Sequence, residues 1–199
     1  MVAPPESAAV SGEPEEPTES AGEPPSPRER IASSLLVQTL VMLGALAWLH
    51  ARDRTDAFRE LAIGAHGPWL GLLAGGAVAV AFSAVLAVVA ARTSALAPLD
   101  DELRRFFAGI DAWAVDVLLL ASALGEEFLL RCAVQDAFGW PGGVAAAVAV
   151  VIASGQRRLW WLAVLYASLL GLLVDLGFGL LGSTVANVLV NHLNLRRLS

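Results

Sequence analysis

The sequence predicts an all-α fold, a polytopic membrane helix bundle of about six transmembrane helices, and three observations predict it. First, 56% of the 199 residues are hydrophobic, the mean hydropathy is +0.64 and only 16% are charged. A soluble domain carries about 25% charged residues. Second, the apolar stretches approach the ~20 residues that a helix needs to cross the hydrocarbon core. Third, all six Trp sit near the ends of those stretches, where an amphipathic indole is favoured.

The elements follow in order. Residues 1–30 hold seven Glu and two Arg, are rich in Pro and Ser, and offer little to bury. They predict a disordered acidic tail, without the basic start and apolar core of a secretory signal. The rest of the chain is nearly neutral, with twelve acids and eleven Arg, so the acidic balance belongs to the tail. It implies no nucleic-acid partner. The remainder, 31–199, reads as one transmembrane helical domain. Segment one is Ser33–Leu49, followed by a charged loop at Ala51–Glu60. Segment two lies within Leu61–Ala91. Pro98–Asp111 reads as a short interfacial helix capped by Asp100 or Asp101. Segment three is Ala112–Gln135. Segment four lies within Ala137–Gln156, starts at Trp140-Pro141-Gly142-Gly143 and ends at Arg157-Arg158. Segment five is Leu159–Val174, Asp175 and Gly177 mark a tight turn, and segment six is Leu176–Leu195.

With six spans, one side receives Arg28, Arg30, Arg92, Arg104, Arg105, Arg157, Arg158, Arg196 and Arg197. The other receives Arg52, Arg54 and Arg59. Basic residues accumulate on the cytoplasmic side, which places both termini there. Every basic residue is Arg, the mark of a GC-rich genome, and the expected location is a bacterial inner membrane.

Segment three carries the chemistry. Glu126, Glu127 and Arg131 lie deep in an apolar helix. Each charge at that depth costs ~2.5–3.5 kcal/mol on insertion scales. Glu127 and Arg131 are four apart, with the acid first, the favourable order for an ion pair. Glu126 points ~100° away from Glu127 and is poorly neutralised by Arg131. It must meet a polar cavity, another polar group or a proton. Such a carboxyl suits a general base, and equally suits polar glue between helices. Asn187 and Asn191 share one helix face and can donate to an oxyanion or a carboxylate. No histidine pair has metal-ligand spacing, so neither a metal nor a cofactor is expected. The single cysteine, Cys132, reads as a small packing residue.

Glu126-Glu127-Phe128-Leu129-Leu130-Arg131 resembles the E-E-x-x-x-R motif of the CPBP intramembrane proteases, also called the CAAX protease or Abi family. Gly182-Ser183, Asn191 and the Asn194-Leu195-Arg196-Arg197 ending are similar to that family's third motif, H-x-x-x-N/D in the last helix. The resemblance covers about residues 95–199. It implies a helical membrane endopeptidase acting on membrane or prenylated peptides, with Glu126 as base and Asn191 in the oxyanion hole. Two positions depart from the pattern. Asn187 stands where the third motif has histidine, and Gly155 or Gln156 stands near the second-motif histidine, F-x-x-x-H. A register with His192 as the motif histidine puts Arg196 where Asn or Asp belongs. The expected function is therefore that of a pseudoprotease binding a membrane peptide or partner protein. The alternatives are an active atypical endopeptidase using Glu126, and a small transporter or channel subunit.

Overall fold

The computed structural model describes residues 25–198. Most of the acidic tail, and its expected disorder, lies outside the described residues. Among these the chain is helical, without a strand. The first helix, α1, spans Pro27–Ala51 and so begins inside the stretch assigned to the tail. The reason is a capping box. The Ser26 hydroxyl accepts from the Glu29 amide at 3.3 Å, and the Glu29 carboxylate accepts from the Ser26 amide at 2.7 Å.

The remaining helices are α2 (Ala57–Ile63), α3 (Pro68–Arg92), α4 (Ala97–Phe107), α5 (Ala112–Glu127), α6 (Asp136–Ala153), α7 (Trp160–Leu173) and α8 (Gly179–Leu198). Between α5 and α6 the chain runs as a π-helix over Phe128–Gln135, and between α7 and α8 as another over Val174–Phe178. Thus α2 occupies part of what the sequence reads as loop. The α4 helix matches the expected short helix, but neither aspartate caps it, because its N-cap is Leu96. Asp100 instead accepts from the Arg197 guanidinium at 2.6 Å. Gly139, at φ 70°, breaks the run before Trp140, where segment four was expected to start. That helix ends at Ala153, so Arg157-Arg158 open the following 3₁₀ turn (Arg157–Leu159) instead of closing segment four.

Among the described residues three stretches are long and apolar enough to cross a membrane: Pro27–Ala51, Pro68–Arg92 and Arg157–Leu198. The last is folded back on itself at Gly177 (φ 83°) and Gly179 (φ 72°), conformations that side chains with a Cβ rarely adopt. The reversal shows in its neighbours. Leu162 packs with Val190, Tyr166 bonds Asn187, and Leu170 and Leu173 pack with Ala186. Outward faces keep large apolar residues in the open, such as Leu40, Trp69, Leu73 and Val80. A helix apolar all round suits lipid, and the bundle is compatible with an integral membrane protein.

The long elements pass back and forth between two ends. At one end the Arg30 guanidinium donates to the carbonyls of Arg105, Phe106 and Ala108, and Gln156 donates to Glu102. Arg197–Asp100 lies at this end too. At the opposite end Arg52 and Arg54 pair with Asp136, and His66 bonds the Leu176 carbonyl. The closest helix contact joins α3 and α8, which run parallel. A Cβ added at Gly75 would strike the Gly182 carbonyl oxygen, and one at Gly71 would lie 2.7 Å from the Phe178 oxygen. Small residues at four-residue spacing let the backbones approach.

Candidate functional site

The bundle interior contains one connected polar cluster, built on α5, the first π segment, α7 and α8. Its centre is Asn187, 1% exposed. The Asn187 amide nitrogen donates to Glu126 Oε2 at 3.0 Å and to Glu127 Oε1 at 3.4 Å. Its Oδ1 accepts from the Tyr166 hydroxyl at 3.2 Å and from Asn191 Nδ2 at 3.0 Å. The helical spacing that puts Asn187 and Asn191 on one face therefore joins them directly. Asn191 reaches the carboxylates only through Asn187.

Glu127 and Arg131 are buried together, with side-chain exposures of 2% and 0%. Their closest atoms, Glu127 Oε2 and Arg131 Nε, are 3.5 Å apart and neither is hydrogen-bonded, so the attraction there is purely that of charge. The guanidinium is held otherwise by Gln135 Oε1 at 3.2 Å and by the Ala167 carbonyl at 3.1 Å. Gln135 in turn donates to the Gly171 carbonyl and, at 2.7 Å, to Asp175. The π-helix carries both Arg131 and Gln135. Wide turns of this kind are frequent at functional sites.

Glu126 is the more open carboxylate. Its second oxygen accepts from Ser122 at 3.3 Å, and Ser122 accepts from Gln38 at 3.4 Å. It lines a cavity of about 350 Å³, with walls that include Val41, Leu129, Ala147, Val150 and Ala163. The cavity lies where α1 packs on α5 and the π segment without extended contact with α6 or α7.

All five residues singled out in the sequence, Glu126, Glu127, Arg131, Asn187 and Asn191, thus meet in one cluster. The second-motif position is different. Ala147, Val150 and Val151 line the same cavity as Glu126, so its α6 wall is apolar. Gln156 lies nearer the end of the bundle and donates to Glu102 at 2.9 Å, and Gly155 occupies a left-handed turn at φ 84°. Neither replaces a histidine beside Glu126. His192 faces Asp116 at 3.2 Å instead of the cluster, His66 holds a backbone carbonyl, and His50 is exposed at the end of α1. Cys132 is fully buried against Leu49, Ala57, Val174 and Leu180. Among the described residues no group of three His, Cys, Asp or Glu side chains is placed to hold a metal.

Sequence reasoning missed four members. Gln135 lies four residues after Arg131 and eight after Glu127, on the same stripe, so spacing alone could have found it. Ser122 lies four before Glu126. Tyr166, the only tyrosine, and Gln38 come from other helices and gave no local signal.

The arrangement limits the chemistry. An amide nitrogen has two hydrogens. Both of those on Asn187 are directed at carboxylates, which leaves none for an oxyanion. The Glu126 carboxylate lies at the cavity wall. No family model, no curated protein and no solved structure matches this chain, so the family resemblance rests on the motif residues themselves.

Proposed function

We propose that this chain is a degenerate CPBP/CAAX-type intramembrane protease homologue, a pseudoprotease that binds a membrane peptide or partner protein without cleaving it. The observation that carries this reading is the engagement of Asn187. It occupies the third-motif histidine position, contacts the motif glutamate Glu126 at 3.0 Å, and has both amide hydrogens turned to carboxylates. A histidine acting in acid–base catalysis contributes ~10²–10⁴-fold. Two such groups are missing, and the residue at one of their positions bonds the base. In this reading the chain crosses a bacterial inner membrane six times with both termini in the cytoplasm. The Arg-rich end formed by Arg30, Arg104, Arg105 and Arg197 supports that orientation.

The test is cleavage of prenylated and transmembrane peptides by the full chain in lipid nanodiscs, alongside binding of the same peptides. Binding without cleavage is the expected result. Robust cleavage abolished by Glu126→Ala refutes the pseudoprotease and establishes an active enzyme with Glu126 as base.

A further inference from the structure

The cavity beside Glu126 is lined by a carboxyl group that has no ion-pair partner among the described residues. Two carboxylates, Glu126 and Glu127, and one guanidinium, Arg131, line it. Arg131 is committed to Glu127, Gln135 and the Ala167 carbonyl. Glu126 takes part in none of the ion pairs among the described residues. Its oxygens receive only neutral donors, the Asn187 amide and the Ser122 hydroxyl. The charged groups facing it are thus one acid and one base already joined to each other. With all three ionised, the cluster carries one surplus negative charge.

The rest of the cavity selects what can neutralise that charge. Leu129, Leu130, Val150, Ala163 and Leu170 give it apolar walls. A strongly hydrated cation loses its water there without replacement, because burial of an unsolvated charge is costly. A cation whose charge is covered by apolar groups loses little water and gains apolar contact. Tyr166 adds an aromatic side chain to the wall, stacked on Phe82 with ring centroids 4.5 Å apart. At about 350 Å³ the space suits one small molecule and is too small for a helix.

We propose that this cavity is a binding site for a hydrophobic monocation, with Glu126 as the counter-ion and the α6–α7 side chains as the apolar wall. The site goes beyond peptide binding by a pseudoprotease. It needs neither a peptide partner nor a cleaved bond.

The test is equilibrium dialysis of the full chain, in an uncharged detergent, against radiolabelled tetraphenylphosphonium. Saturable binding of one cation per chain is expected, and uncharged triphenylmethanol should fail to displace it. Glu126→Gln should weaken binding about tenfold or more, since removal of one member of a buried charge pair is costly. Arg157→Gln, at the end of the bundle, should leave it unchanged. Ala147→Phe fills the cavity with Glu126 intact and should abolish binding, with folding checked by circular dichroism. This variant decides the matter if Glu126→Gln does not fold. The proposal is overturned by absent saturable binding, by equal binding in Glu126→Gln, by binding that survives Ala147→Phe, or by displacement with the neutral compound. Peptide cleavage measured on the same preparations is an independent readout, so either reading can fail alone.

Discussion

Arg131→Ala is the most informative perturbation of the bundle. It removes a fully buried guanidinium from beside a carboxylate that is 2% exposed. Glu127 then keeps its neutral Asn187 contact but no buried cation. The Ala167 carbonyl and the Gln135 amide oxygen each lose a donor. Breaking a buried pair by deleting one partner costs ~3–5 kcal/mol. At ~2–4 °C per kcal/mol for a chain of this size, the unfolding midpoint should fall by ~6–20 °C. The assay is thermal unfolding of the purified protein followed by tryptophan fluorescence, with membrane abundance measured in parallel. Arg131→Lys should lie in between, because an ammonium keeps the charge but loses the planar fork that spans the Gln135 and Ala167 acceptors. Glu127→Leu combined with Arg131→Met should recover most of the loss, since an apolar pair has no charge to strand. A midpoint for Arg131→Ala within 2 °C of wild type would show that the pair is not structural, and the account of the cluster would be wrong.

Gly75→Ala should destabilise by ~1–3 kcal/mol, because its Cβ meets the Gly182 carbonyl of α8. Gly76→Ala, with nothing within 4 Å, should be neutral or slightly stabilising, and equal effects in thermal melts would contradict the α3–α8 contact. Tyr166→Phe should cost only ~0.6 kcal/mol, the average for a hydrogen bond between membrane helices. Asn187→Leu should cost several times more in the same melts, because it removes the buried amide donor that Glu126 and Glu127 share. Asp136, at the Arg-poor end, should give the protein an acid sensitivity. Its hydrogen bond to Arg54 holds the carboxyl below its ordinary value of 3.8. A depressed folded-state value contributes stability that is present above the unfolded value and is lost as pH falls through the folded one. The wild-type advantage over Asp136→Asn should therefore be full at neutral pH and shrink below about pH 4. An advantage that stays constant down to pH 2 would remove Arg54–Asp136 as its source.

What the sequence determined by itself is whatever depends on residues close along the chain. The charge deficit and the length of the apolar runs point to a helical membrane bundle, because backbone polar groups in lipid must all be satisfied by the protein and apolar runs of about 20 residues do so as helices. Four-residue spacing fixes the Glu127–Arg131 pair and the shared face of Asn187 and Asn191. The same logic held the start of α1, since Ser26-Pro27-Arg28-Glu29 is a capping-box pattern that the tail's composition concealed. Tertiary structure alone decided the rest. That Asn187 bonds Glu126 depends on where α8 lies against α5, while glycines let the other side of α8 sit tightly along α3. That Tyr166 and Gln38 join the cluster depends on helices remote in sequence. The position of Gln156 was decided by helix length: α6 stops at Ala153, which carries Gln156 past the cavity to Glu102 and leaves Val150 and Val151 in the cavity wall. Periodicity gives the direction of a side chain around its own helix. Only the docking of helices gives what that side chain meets.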